Sequence, residues 1–192
     1  MHILCLGLNH NTTPIELREQ FSLNEEAIRS ALSRLACEQL ASSIAELVIL
    51  STCNRTELYA VSSHLSFIEL EIFLSETCGV PVDAFHRHVY QSADVEAARH
   101  LFEVAAGLDS LVIGEPQILG QIVRALELSR GQNMAGPVLN RLFQAAIHAG
   151  KRARTETNIS RNHASVSSLA ASLAGRVVHP IAEAQVVVIG AG

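Results

Sequence analysis

The first half of the chain alternates between two hydrophobic periods. Ile3–Leu8 is short and apolar and reads as a strand. Thr13-Pro14-Ile15-Glu16 has the form of a helix start, with threonine as N-cap, proline in the first turn and glutamate at the third position. Ser22-Leu23-Asn24-Glu25 reads as a capping box, opening a helix on which Ala27, Ile28, Ala31, Leu32, Leu35 and Ala36 recur at helical spacing. Glu46–Leu50 and Glu57–Val61 are the next strands. From Ser66 to about Thr77 the residues Phe67, Ile68, Leu70, Ile72, Phe73 and Leu74 predict a helix, stopped by Gly79-Val80-Pro81. Phe85 then leads into His86–Tyr90, the expected fourth strand.

From residue 93 the period stays helical. One helix is expected over Ala93–Ala106 with Ser92 as N-cap, and a second over Pro116–Ser129 with Ile118, Leu119, Ile122, Val123 and Leu126 inward. Pro137 opens a third with Leu139, Leu142, Phe143, Ala146, Ile147 and Gly150 on one stripe, and a fourth runs over about Ala164–Val178 until Pro180 breaks it. Gln185–Ile189 reads as a strand, followed by Gly190-Ala191-Gly192. An apolar strand and G-x-G begin a dinucleotide-binding unit, although the third glycine, the helix and the ribose-binding acid are missing here. The expected class is α+β. A β-α-β-β-α-β, ferredoxin-like part (1–92) precedes a helical part (93–160), and 161–192 is a connecting helix with the first strand of a Rossmann-type domain.

Composition narrows the classes. With 48% apolar and 17% charged residues in 192, the chain is globular and can bury a core. It has no 18-residue run free of polar residues and no leader-like N-terminus, so neither a membrane span nor export is expected. Cys5, Cys37, Cys53 and Cys78 fit no C-x-x-C pattern, and reduced thiols in the cytoplasm are expected. No metal site is expected: His86-x-His88 is the nearest approach to ligand spacing and has no thiol or carboxylate beside it. The net charge of −5 hides an asymmetry. Residues 1–119 hold 6 Lys/Arg against 16 Asp/Glu, and residues 120–161 hold 7 against 2, so the second half is basic enough to face a polyanion or simply to carry a solvated helix face.

The chemistry centres on Leu47-Val48-Ile49-Leu50-Ser51-Thr52-Cys53-Asn54-Arg55-Thr56-Glu57, where an apolar strand delivers a cysteine into a polar loop. A guanidinium nearby favours thiolate and can hold a substrate carboxylate, while a cysteine can equally be a small buried hydrophobe. A second block, Gly107-Leu108-Asp109-Ser110-Leu111-Val112-Ile113-Gly114-Glu115-Pro116-Gln117-Ile118-Leu119-Gly120-Gln121, puts Gln117 and Gln121 one helical turn apart. A third, Lys151-Arg152-Ala153-Arg154-Thr155-Glu156-Thr157-Asn158-Ile159, is basic. With Gly7-Leu8-Asn9-His10-Asn11-Thr12-Thr13-Pro14, these blocks closely resemble the glutamyl-tRNA reductase family, through essentially the whole chain.

That resemblance implies NADPH-dependent reduction of glutamyl-tRNA to glutamate-1-semialdehyde, the first committed step of tetrapyrrole synthesis. By resemblance Cys53 is the nucleophile that forms a thioester, which accepts hydride better than an oxygen ester. Thr52, Asn54 and Arg55 contact the glutamyl group, as do Ser110, Glu115, Pro116, Gln117 and Gln121. His100 matches a histidine important in the family and would assist acid–base steps or position the substrate. Gly190, Ala191 and Gly192 would start the NADPH site, incomplete in this chain. Family members dimerise through a C-terminal domain that this sequence lacks, and the fragment is expected to stop at thioester formation or ester hydrolysis. The alternative is a non-catalytic RNA-binding module, against which stands the scarcity of stacking aromatics: no Trp and 2 Tyr.

Overall fold

The computed structural model describes residues 1–38, 43–159, 166–179, 184–185 and 187. The described residues combine a four-stranded antiparallel sheet with helices. β1 (His2–Asn9) leads to a short helix α1 (Ile15–Arg18), a 3-10 turn (Glu19–Phe21) and α2 (Glu25–Glu38). β2 (Ile44–Ser51) and β3 (Arg55–Ser62) form a hairpin. Then come α3 (Ile68–Cys78), α4 (Val82–Phe85) and β4 (Tyr90–Ala93), followed by α5 (Val95–Ala106), α6 (Gln117–Gly131), α7 (Pro137–Glu156) and α8 (Val166–Val177). The strand order is β2-β3-β1-β4.

Both faces of the sheet are covered, which explains why its strands read as apolar runs rather than as a clean alternation. On one face Leu4, Leu6, Leu8, Leu47, Ile49, Leu58 and Ala60 pack with Phe21, α2 and α3. On the other, Cys5, Val48, Leu50, Tyr59 and Val61 pack against α5, α6 and α7, where Leu139, Phe143 and Ala146 bury the predicted stripe. Glu46 ties α7 to the sheet edge: its carboxylate accepts the Val138 N–H at 3.1 Å and the Leu139 N–H at 2.7 Å, answering free donors and the positive end of that helix.

Several expectations shift. The fourth strand is Tyr90–Ala93, not His86–Tyr90, because His86 closes α4 and His88 closes the turn after it. Ser92 therefore pairs with Cys5 inside the sheet and caps nothing. The residue before α5 is Asp94 (φ 52°), fixed by its carboxylate accepting from the Ile3 N–H at 3.0 Å and bonding His2. Asn24, not Ser22, caps α2, accepting the Ala27 N–H at 2.9 Å. Thr13 makes no cap, and Pro14 precedes α1 directly. Of the strand expected over Gln185–Ile189, only Gln185 and Val187 are described, and neither is in a strand. Gly190, Ala191 and Gly192 lie outside the described residues.

Candidate active site at the Cys53 turn

β2 and β3 meet at a tight turn that presents Cys53 at its apex. The Thr52 N–H donates to the Arg55 carbonyl at 2.8 Å, and the Thr52 hydroxyl accepts the N–H groups of Asn54 (3.1 Å) and Arg55 (3.2 Å). Thr52 thus shapes the turn through its own side chain. The His10 N–H donates to the Asn54 carbonyl at 3.0 Å, and Arg18 Nε donates to the Cys53 carbonyl at 3.2 Å. Cys53 is exposed, whereas Cys5 is fully buried and its thiol pKa is pushed up by that burial and by the Glu57 charge.

Across from the turn, the loop 107–116 and the start of α6 close a narrow cleft. Thr52, Cys53, Asn54, Arg55, Ser110, Leu111, Glu115, Gln117, Ile118 and Gln121 line it. Gln117 and Gln121 share one face of α6, as their spacing predicted. Among the described residues, the side chains of Ser110, Glu115, Gln117 and Gln121 make no hydrogen bond. Pro116 is exposed and His100 half-buried; neither lines the cleft.

Arg55 reaches the cleft from the core. It is 1% exposed, on the α5–α7 face of β3, where Glu57 and Tyr59 follow at the two-residue strand period. Its Nη1 donates to Glu57 Oε1 at 2.6 Å and to Asp109 Oδ2 at 2.9 Å, and its Nη2 donates to the Asp109 carbonyl. Glu57 is a fully buried hub that also accepts from the Tyr59 hydroxyl (2.6 Å) and the Tyr90 hydroxyl (2.5 Å) and bonds His100 Nε2 (3.0 Å). Gly7 opposes both Glu57 and Tyr90 in the sheet, and a Cβ there would lie 2.5 Å from the phenol ring that must cross it. Burial alone would raise the Glu57 pKa, but the Arg55 charge and the donated hydrogen bonds outweigh it and hold the carboxyl ionised far below the usual range.

Cys5, Glu57 and His100 place ligand-type atoms within 4.8 Å of one another. Glu57 already receives a guanidinium, two phenols and an imidazole, so this cluster is a hydrogen-bonded polar core rather than a cation site.

Burial lowers the His100 pKa, but its hydrogen bond to Glu57 and the Glu57 charge reverse this and raise it above 6.5. The protonated pair therefore stabilises the fold fully below pH 6.5, and that contribution fades as pH rises through the raised value. Thermal melts of wild type and His100→Asn are expected to differ most at pH 5.5–6, by about 1–2 kcal/mol, and to converge towards pH 9. A gap that widens with pH would rule out the charged pair.

A family model described as "Glutamyl-tRNAGlu reductase, N-terminal domain" matches residues 6–157. The chain belongs to the glutamyl-tRNA reductase family. It is 43% identical over 194 residues to a glutamyl-tRNA reductase of Paenibacillus macerans, covering 100% of this chain and 44% of that protein. It is 45% identical over 192 residues to one from Stenotrophomonas maltophilia (strain K279a), covering 100% of this chain and 43% of the relative. The solved glutamyl-tRNA reductase from Methanopyrus kandleri superposes with a TM-score of 0.69 at 31% identity, over 91% of this chain and 39% of that one. The chain thus spans less than half the length of these relatives.

The motif reading missed Glu57, Tyr59, Tyr90 and Asp109, although the alternation Arg55-x-Glu57-x-Tyr59 was a signal that polar groups share one sheet face. Within the basic block Arg154 turns inward to the carbonyls of Ala105, Gly150 and Glu115, while Arg152 pairs with Glu156 at the surface. No helix among the described residues is long and apolar enough to cross a membrane.

Proposed function

We propose that this chain is the ester-attacking part of a glutamyl-tRNA reductase and that its cleft takes the glutamyl end of glutamyl-tRNA in the cytoplasm. The observation that carries this is the convergence of an exposed cysteine with several polar side chains and one guanidinium in a single cleft. Cys53 loses its proton and its sulfur attacks the ester carbonyl. The carbon–oxygen bond to the tRNA ribose breaks, that oxygen takes up a proton, and the glutamyl group stays on sulfur as a thioester. In this reading Glu115 accepts from the substrate ammonium, Ser110, Gln117 and Gln121 orient the ester, and Arg55 meets the side-chain carboxylate. His100 acts from behind, through Glu57 and Arg55, as a positioning residue.

Reduction by NADPH is carried over from the family, for which that cofactor supplies hydride. The described sheet is antiparallel throughout, with no glycine-rich turn between a parallel strand and a helix N-terminus, so the described residues do not fit a dinucleotide. The strand order supports the ferredoxin-like reading of residues 1–92, with β3 lying between β1 and β2.

The test is transfer of label. Glutamyl-tRNA labelled on the amino acid should leave hydroxylamine-sensitive label on the chain, mapping to Cys53 and not to Cys37. Label on another cysteine, or none while the ester survives, would remove the proposal.

A further inference from the structure

Arg55 carries more negative charge than it can neutralise. Glu57 and Asp109 both bond its guanidinium, His100 faces Glu57 alone, and a substrate carboxylate would be a third anion on the same guanidinium. One of them must leave. Glu57 is held: it is fully buried and receives hydrogen bonds from Tyr59, Tyr90 and His100 as well. Asp109 is free to go. Its side chain is 28% exposed, it sits in the loop beside Ser110, and its other side-chain partner is a 3.5 Å contact from Asn9.

We propose that Asp109 is a built-in stand-in for the substrate carboxylate, exchanged on Arg55 when a glutamyl group enters. The proposal rests on the reading of the cleft as the glutamyl site. A guanidinium has five N–H groups. Three bonds engage it here, from Nη1 to Glu57, from Nη1 to Asp109 and from Nη2 to the Asp109 carbonyl. Among the described residues Nε and the second Nη2 hydrogen have no acceptor, and Arg55 lines the cleft. An incoming carboxylate docks on these first, and its repulsion then releases Asp109. The pair that breaks and the pair that forms are chemically alike, so the exchange has little net cost for an acidic side chain. A neutral side chain has no charge with which to displace Asp109. Because Asp109 bonds Arg55 through its backbone carbonyl as well, its release carries Ser110 and the cleft wall with it. Asp109 is thereby a specificity-determining residue.

The test is single-turnover labelling of the full 192-residue chain by glutamyl-tRNA, with Asp109→Asn and Asp109→Ser beside wild type. Melting curves check that both variants fold. Asparagine keeps the shape and loses the charge; serine guards against an amide that still holds Arg55. Removing the competing ion pair should lower the half-saturating glutamyl-tRNA concentration about five-fold, with the maximal rate preserved. A residue that merely anchors the loop gives the opposite sign. Folded variants with unchanged or raised half-saturation overturn the exchange and leave the function standing. An unlabelled wild type overturns both.

Discussion

Glu57→Ala should destabilise the chain by about 3–5 kcal/mol, because it leaves a buried guanidinium short of its closest anion. In a chain of 192 residues that is a fall of roughly 10 °C in melting temperature. The loss has a specific origin. Arg55 is 1% exposed and cannot turn to water, while the hydroxyls of Tyr59 and Tyr90 lose their acceptor in the same step. Asp109, on a partly exposed loop, is a poor substitute. Differential scanning calorimetry on three chains separates the causes: wild type, Glu57→Ala and the double variant Arg55→Met with Glu57→Leu. The double variant should recover much of the loss, since an apolar pair of similar volume removes the uncompensated charge. If it melts no higher than Glu57→Ala, the cost lies in lost packing and the charge argument fails.

Cys53→Ser should be as inactive in label transfer as Cys53→Ala. Serine and cysteine are nearly isosteric, so the turn held by Thr52 survives either change. Ionisation separates them. A cysteine is a few per cent thiolate near neutral pH unaided, whereas a hydroxyl needs an adjacent base. Among the described residues no histidine or carboxylate hydrogen-bonds the side chain at position 53, and His100 is engaged with Glu57 outside the cleft. Serine at this apex is therefore an unactivated alcohol. Measurable ester-linked label on Cys53→Ser would reveal a base that this arrangement lacks, and the roles assigned around the cleft would have to change.

The site was legible where its determinants are local. The apolar run into Cys53 and the one-turn spacing of Gln117 and Gln121 are short-range features, and both sides of the cleft follow from them. Arg55 was legible as a cation and not as a buried one, because its anions come from two residues along β3 and from a loop more than fifty positions away. His100 was read as assisting acid–base steps around the ester or positioning the glutamyl group. The structure turns it to Glu57, since its place on α5 faces Tyr90 and the sheet rather than the cleft. The displaced fourth strand has the same kind of cause. His86-Arg87-His88-Val89 carries a strand-like pattern, but the 2.8 Å bond from the His86 N–H to the Val82 carbonyl keeps His86 at the end of α4, and the ladder with β1 begins at Tyr90.

The cleft loop also rests on the end of α7. A Cβ on Gly114 (φ 82°) would lie 2.0 Å from the Ile159 carbonyl oxygen, and Arg154 Nη2 donates to the Glu115 carbonyl at 3.0 Å. Backbone is stacked on backbone there, with no side chain between to absorb a shift. A tag, linker or partner domain spliced in directly after Ile159 therefore pulls on the back of the loop that lines the candidate cleft.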